Sequence, residues 1–311
     1  MPNVRKTVDI SPKAPLLGKR VDKVVQEMCG FSRAQLVGLF DHECVTINDF
    51  LCKFPGQHVE PGDRVKLTFD PHQRYHPKEK PRRYPGFEVV FEDKLLWVVL
   101  KPAKLLTVPT PKGETNTLLD LVRSYARMTG GQFAEAHHVH RLDRGVSGLL
   151  VFGRSEAIAK SIRNQFAANK PERFYDAIVK GVLADDEGTF DSLLATDRDL
   201  NRFSTEDDSI GQRAVTHYRV MRRMRDATWV RVWLETGRRN QIRVHFAEAG
   251  HPVLGDPRYR TDEARHRAWP YPRIALHARQ LGFRHPATGR VLRCTSPLPA
   301  EMETLLATIE E

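Results

Sequence analysis

His140-Arg141-Leu142-Asp143-Arg144-Gly145-Val146-Ser147-Gly148-Leu149-Leu150-Val151 is the stretch on which the reading of this 311-residue chain turns. It sets one carboxylate between two guanidinium groups, follows it with a Gly-rich turn, and runs into the apolar segment Gly148 to Gly153, which has the length and composition of a buried strand. An Asp flanked in this way is expected to be ionised at neutral pH, which makes it a base or nucleophile rather than a proton donor. Taken alone, Arg141-Leu142-Asp143-Arg144 reads more readily as an ordinary salt bridge at a strand edge. The rest of the chain decides between the two.

Four further blocks carry residue types suited to chemistry. They are Arg173-Phe174-Tyr175, Gly237-Arg238-Arg239-Asn240-Gln241-Ile242-Arg243-Val244-His245 with its continuation Gly250-His251-Pro252-Val253-Leu254-Gly255-Asp256, Leu276-His277-Ala278, and Phe283-Arg284-His285-Pro286. Together with the opening stretch they resemble, in order, the motifs of the RluA-type pseudouridine synthases: H-R-L-D-x-x-T-S-G-L-L-V, K-x-Y, G-R-x-H-Q-I-R-V-H, G-H-P-x-x-G-D and L-H-A...F-x-H-P. The chain departs from that pattern at Val146 for Thr, Arg173 for Lys and Asn240 for His. A lysine-proline block, Lys101-Pro102-Ala103-Lys104-Leu105-Leu106, also has Lys104 where the family usually has Gly.

The resemblance implies a reaction and a site. Asp143 is the catalytic residue, Arg243 fixes and charges it through its planar fork, and Tyr175 stacks on the uracil with its hydroxyl available for proton transfer. Arg141 is implied to stand near the flipped base. His140, Arg238, Gln241 and His245 complete the substrate-binding set, with His140 also able to support the loop. Turning uridine into pseudouridine cleaves the C1′–N1 bond, rotates the held uracil and joins C5 to C1′. It needs an ionised carboxylate, a dry pocket and an accessible base, and no metal, nucleotide or redox cofactor. Attack at C1′, addition at C6 and abstraction of the 2′ proton are all open to Asp143 at this level.

Composition sets outer bounds. A net charge of +10 and 40% hydrophobic content describe a globular protein with a polyanionic partner, although basic charge alone would also suit a membrane surface. The apolar run Leu95 to Leu100 is far too short to span a bilayer, and the N-terminus has no signal-peptide pattern, so a cytoplasmic protein without a membrane partner is expected. Cys29, Cys44, Cys52 and Cys294 are irregularly spaced and read as reduced thiols.

Residues 1 to 15 are polar and punctuated by proline, and a flexible tail is expected there. From 16 to 70, a helix begins at Arg20-Val21-Asp22, Ser32 caps a second one from Arg33, and strands follow at Val45 to Ile47 and Val65 to Phe69. This order, with Ser32-Arg33, Val45-x-Ile47-Asn48 and Pro61-Gly62-Asp63-x-Val65, resembles the S4 RNA-binding domain, in which Gly is common where Glu43 and Asp49 stand. Residues 71 to 86 alternate prolines with basic residues and read as a linker. From 87 to 311, strands and helices mix without βαβ alternation, which predicts an α+β catalytic domain on a mixed, largely antiparallel sheet beside the small α+β N-terminal domain.

Rival chemistries fit poorly. His137, His138 and His140 lack a second ligand cluster, and alternation puts His137 on the face opposite the other two. The G-x-S-x-G spacing is absent, His140-Arg141-Leu142-Asp143 is not the kinase H-R-D loop, and no second motif offers the other carboxylate a glycosidase needs. Two function classes stand: an RNA pseudouridine synthase acting as a monomer on structured RNA, ribosomal first and transfer RNA second, or a catalytically inactive RNA-binding or ribosome-assembly protein keeping the fold. The trio Asp143, Tyr175 and Arg243 favours the enzyme, because a pure binder has no need of it.

Overall fold

A computed structural model of the protein describes residues 4–52, 55–75, 82–130, 134–168 and 171–308. The chain falls into two compact units, Met1–Lys80 and Pro81–Glu311.

The smaller unit comprises β1 (Val4–Asp9), α1 (Val21–Cys29), α2 (Arg33–Asp41), β2 (Val45–Ile47), β3 (Phe50–Leu51) and β4 (Arg64–Phe69), with an antiparallel sheet ordered β1-β4-β2-β3. In α1, Val21, Val24 and Val25 recur on one face and are fully buried. In α2, Ser32 Oγ accepts the Gln35 N–H while the Ser32 N–H donates to Gln35 Oε1, a reciprocal cap that fixes the helix start.

Two expectations about the ends of this unit need correction. The first 15 residues are not a loose tail among the described positions: Val4–Asp9 pairs with β4 from Val4↔Phe69 to Asp9↔Arg64, and Ile10 is buried in the core. Lys6 interrupts the apolar face shared by Val4 and Val8, because its ammonium donates to the Met28 carbonyl in the last turn of α1, where a cation is favoured. The linker is also shorter than 71–86. Tyr75 is buried against Phe69, with its hydroxyl accepting the Asp70 N–H, and β5 (Arg82–Tyr84) pairs with the larger sheet. Residues 76–81 lie outside the described ones.

After β5 the larger unit continues through β6 (Phe87–Glu92), β7 (Leu96–Lys101), α3 (Leu118–Gly130), β8 (His137–His138), β9 (Ser147–Gly153), α4 (Glu156–Ala167), β10 (Glu172–Lys180), β11 (Glu187–Thr196), β12 (Arg202–Thr205), β13 (Gln212–Met224), β14 (Ala227–Leu234), α5 (Gln241–Glu248), β15 (Leu276–Arg284), β16 (Val291–Thr295) and α6 (Ala300–Thr308). One sheet runs β12-β11-β13-β14-β10-β15-β9-β7-β6-β5, with β16 on β15 and β8 on β9. Every named pairing in it is antiparallel except β9 with β15, so the fold is the expected α+β arrangement on a mixed, largely antiparallel sheet.

That parallel contact lies directly behind the Asp143 loop. Gly148 sits at φ +132° opposite Ala278, and a Cβ there would come within 2.4 Å of the Ala278 nitrogen. Only glycine lets the strand leaving the loop press against β15. The core is built from Trp97, Leu150, Phe152, Ile178, Val230 and Phe246 together with one face of α3, Leu118, Val122 and Tyr125. On the other side of the sheet, Ser155 caps α4 by accepting the Ile158 N–H, and Ala159 and Ile162 are buried against β9. Strands β11 and β12 escape the pattern analysis because β11 alternates exposed and half-buried positions over most of its length.

Candidate active site

Asp143 lies on an irregular loop between β8 and β9 that is pinned on two sides. Thr107 Oγ1 donates to the Leu142 carbonyl at 2.8 Å and accepts the Leu142 N–H at 3.1 Å, while the Ile274 N–H donates to the Gly145 carbonyl. A further bond, Val146 N–H to the Asp143 carbonyl, closes the turn itself. The loop therefore presents its carboxylate from a rigid frame.

One oxygen of that carboxylate is held twice. Asp143 Oδ2 accepts from Arg243 Nη1 at 2.7 Å and from Asn240 Nδ2 at 2.6 Å, whereas Oδ1 has no hydrogen-bond partner among the described residues. The expectation that Arg243 grips Asp143 with its fork is corrected in one respect. Nε and Nη2 of Arg243 form the bidentate pair with Asp256, at 2.7 and 2.8 Å, leaving only Nη1 for Asp143. Asp256, whose side chain is fully buried, is in turn oriented by the Arg258 and Tyr259 N–H groups. Burial opposes the Arg243 charge, but the hydrogen bond to Asp256 and the charge of Asp143 outweigh it and raise its pKa, so Arg243 is a permanent cation. Neither neighbour in sequence pairs with Asp143: Arg144 donates to the Lys104 carbonyl, and Arg141 makes no hydrogen bond among the described residues.

Asn240 occupies the first position before α5 in the left-handed region, φ +57°, a conformation that Asn tolerates better than most residues. Its carbonyl accepts the Tyr259 hydroxyl at 3.4 Å, so the amide is fixed from behind while its NH₂ meets Asp143. Tyr259 also lies under the Arg243 guanidinium, 5.1 Å from the ring centre.

These groups border a cavity of about 290 Å³ lined by Arg141, Leu142, Asp143, Val146, Tyr175, Leu234, residues 237–243 and Leu276. Tyr175 enters it from β10. Burial, followed by a partly opposing effect of Arg173 and a reinforcing one of Asp143, raises the phenol pKa, which keeps the hydroxyl protonated at neutral pH. Its hydroxyl has no hydrogen-bond partner among the described residues, so the ring and its proton are both available to a ligand. Lys101 is buried nearby, donating to the Pro102 and Leu105 carbonyls, and burial pulls its pKa down to about 7.

The remaining candidates divide. Arg141 and Arg238 are exposed at the cavity, Arg238 donating to the Arg213 carbonyl. Gln241 touches the cavity but spends its polar atoms internally: Oε1 accepts from Thr236 and the Arg238 N–H, and Nε2 donates to Val215 O and Thr216 Oγ1. It braces the turn into α5. His140 and His245 do not line the cavity. His140 stacks on Phe166 with 4.5 Å between ring centres and accepts the Val151 N–H, and burial lowers its pKa to about 3. His245 is bonded to Thr216 and Ser192, neutral through burial, with a pKa lowered to about 4. Both tie elements together: His140 is half-buried against Phe166, His245 is buried, and neither stands among the residues lining the cavity. His137 pairs with Glu135 and Glu156, while His140 is engaged by Phe166 and the Val151 N–H, so these two neighbouring histidines have separate partners. Asp256 was missed as a functional group although its Gly255-Asp256 block was visible; the signal lay in a carboxylate flanked by no basic residue until Arg258.

Comparison with known proteins identifies the family of this fold. The RNA pseudouridylate synthase family matches residues 95–248. The chain is 31% identical, over 98% of both sequences, to the "uncharacterized RNA pseudouridine synthase YlyB" of Bacillus subtilis strain 168. It is 32% identical, over 96% of both, to the "ribosomal large subunit pseudouridine synthase D" of Zymomonas mobilis. Among solved structures, human RNA pseudouridylate synthase domain containing 4 covers 72% of this chain and 94% of its own at 25% identity and a TM-score of 0.59. Likeness over nearly the whole length, on this fold, makes the chain a member of the RNA pseudouridylate synthase family.

Proposed function

We propose that the protein isomerises specific uridines of large-subunit ribosomal RNA to pseudouridine, with Asp143 as the reacting carboxylate. The observation that carries this reading is the asymmetry of that carboxylate: Oδ2 is clamped by Arg243 and Asn240, while Oδ1 is without a partner among the described residues, beside Tyr175 in a small cavity. A free oxygen on a fixed, charged acid can attack C1′, add to C6 or take the 2′ proton. All three routes use the same atom, and the clamp lowers the cost of orienting it. Tyr175, apolar on its faces and protonated at its tip, would hold the detached uracil against Leu234 and Leu276 while the base turns.

The RNA assignment draws on the +10 net charge and on Arg141, Arg238 and Arg239 around the cavity. The choice of ribosomal RNA draws on the names of the relatives from Zymomonas mobilis and Haemophilus influenzae. We take the N-terminal unit to be an S4-like RNA anchor, and the enzyme to act as a single chain in the cytoplasm. Mapping pseudouridines in the RNA of a strain lacking this gene tests the proposal. One or more large-subunit positions should revert to uridine and be restored by the wild-type gene but not by Asp143→Asn. An unchanged map, with purified protein inert on large-subunit RNA, would leave the inactive RNA-binding alternative.

A further inference from the structure

Two residues before Tyr175 on β10, Arg173 occupies the same face of the strand and is only 8% exposed. Its Nε and Nη2 are enclosed without any hydrogen-bond acceptor, and it forms no ion pair among the described residues. Other arginines with an enclosed Nε keep partners elsewhere on the guanidinium: Arg154 with Glu92, Arg202 with Thr196 and the Leu194 carbonyl, Arg222 with the Leu306 carbonyl. Among the described residues Arg173 has only the Phe166 ring, 5.5 Å from its central carbon. The other ring on Phe166 is His140, which is neutral and offers no countercharge.

A buried cation with no counter-ion is a costly arrangement, and a cation–π contact at this distance offsets little of it. The third nitrogen, Nη1, lies against Gly237. A Cβ at that position would come within 2.4 Å of it. Gly237 lines the active-site cavity, so the missing side chain leaves the one unenclosed corner of the guanidinium at the edge of the site. The carboxylate in the cavity is not its counter-ion either: Asp143 is held through Oδ2 by Arg243 and Asn240 and makes no ion pair with Arg173 among the described residues.

We infer that Arg173 and Gly237 form a phosphate subsite, in which Nη1 donates to a phosphodiester oxygen of the RNA strand that carries the target uridine. An anion fits this place better than a uracil carbonyl, because a full negative charge is what the buried guanidinium lacks. The inference rests on the RNA reading above and deepens it.

The test uses the full chain and an unmodified large-subunit ribosomal RNA transcript, with affinity measured over a series of KCl concentrations. Arg173→Met should bind about tenfold more weakly at low salt, and its log–log salt slope should be shallower by about 0.7 to 0.9, the loss of one phosphate contact. Arg173→Lys should keep most of the slope, and Gly237→Ala should reproduce the loss by covering Nη1. Without RNA, Arg173→Met should melt no lower than wild type, and inorganic phosphate should raise the melting temperature of wild type only. Equal salt slopes for wild type and Arg173→Met would overturn the subsite, as would equal protection of both by phosphate. If Arg173→Met does not fold, an unchanged slope in Gly237→Ala overturns it in the same way. Failure of wild type to make pseudouridine would sink the proposed reaction while leaving this comparison of slopes intact.

Discussion

The two walls of the cavity treat a buried arginine in opposite ways. On the α5 side, Arg243 meets two carboxylates, one bidentate and one through Nη1, and its charge is committed before any ligand arrives. On the β10 side, Arg173 meets none. On the proposed reading, comparable burial with opposite pairing gives the walls different tasks: the first fixes a reacting acid in advance, and the second holds a charge in reserve for a partner from outside. Preorganisation of this kind makes the paired wall indispensable to both stability and turnover, whereas the unpaired wall should matter to binding.

Five experiments break or sharpen that contrast. The largest effect is expected for Asp143→Asn, which keeps the side-chain size but loses the anion. Turnover should fall by more than about a thousandfold while RNA affinity changes little, as for other losses of a reacting group. Pseudouridine formation near the wild-type rate would remove Asp143 from the chemistry. Next is Asp256→Asn, which strips Arg243 of its bidentate partner and leaves a buried charge short of compensation. We expect about 3 to 5 kcal/mol of lost stability in denaturant titration. Activity should fall about a hundredfold as well, because a freed fork can swing onto both oxygens of Asp143. A stability loss as small as that of a surface substitution would show that the paired wall is no more committed than the unpaired one.

The third experiment concerns protons. His140, His245 and His277 are all neutral in the fold through burial, with pKa values lowered to about 3, about 4 and about 3. Unfolding releases each to titrate near ~6.5, so below that pH the unfolded chain binds more protons and stability falls. Each histidine adds a slope of about 1.4 kcal/mol per pH unit between roughly 6.5 and its folded value. Denaturation midpoints measured from pH 7 to 4.5 should fall steadily, and His245→Asn should reduce the slope by about a third. A flat profile would mean that these rings are not held neutral.

A finer cut at the paired wall is Asn240→Ala, which removes one of the two donors to Asp143 Oδ2. A hydrogen bond to a charged group contributes roughly 1.5 to 3 kcal/mol, so kcat should drop about tenfold or somewhat more, with KM nearly constant. Equal losses in kcat and in RNA affinity would instead make Asn240 a binding residue.

What could be seen in advance follows from which physics is local. Asp143, Tyr175 and Arg243 stand in fixed spacings of chemically specific residue types, and the structure brings all three to one cavity. Ser32 and the helical face of α1 are legible for the same reason, since caps and amphipathic periods act over a few residues. The pairing of Arg243 with Asp256 and the lack of any partner for Arg173 are properties of three-dimensional neighbourhoods, which no local pattern records. His140 and His245 stand inside motifs beside reactive residues, and only packing reveals that their rings face the core. The edge strand Val4–Asp9 was hidden because Lys6, on its apolar face, is recruited by a carbonyl 22 residues away.

The smallest effect concerns a departure from the family pattern that the backbone makes intelligible. Lys104, Glu43 and Asp49 each stand where the motif patterns this chain resembles have Gly, and each adopts a positive φ, +70°, +60° and +64°. A side chain in that region costs about 1 kcal/mol, partly offset by the extra freedom glycine gives the unfolded chain. Lys104 is the informative position, because its carbonyl accepts the Arg144 Nε–H and so supports the loop that carries Asp143. Lys104→Gly should relieve the strain without removing that carbonyl, raising stability by up to about 0.5 kcal/mol. Turnover should be unaltered, since the paired wall keeps its geometry whatever side chain stands at 104. A rise in stability accompanied by a fall in kcat would mean that the strained turn itself helps to position Asp143, and would extend the committed wall of the cavity beyond Arg243, Asp256 and Asn240 to this second loop.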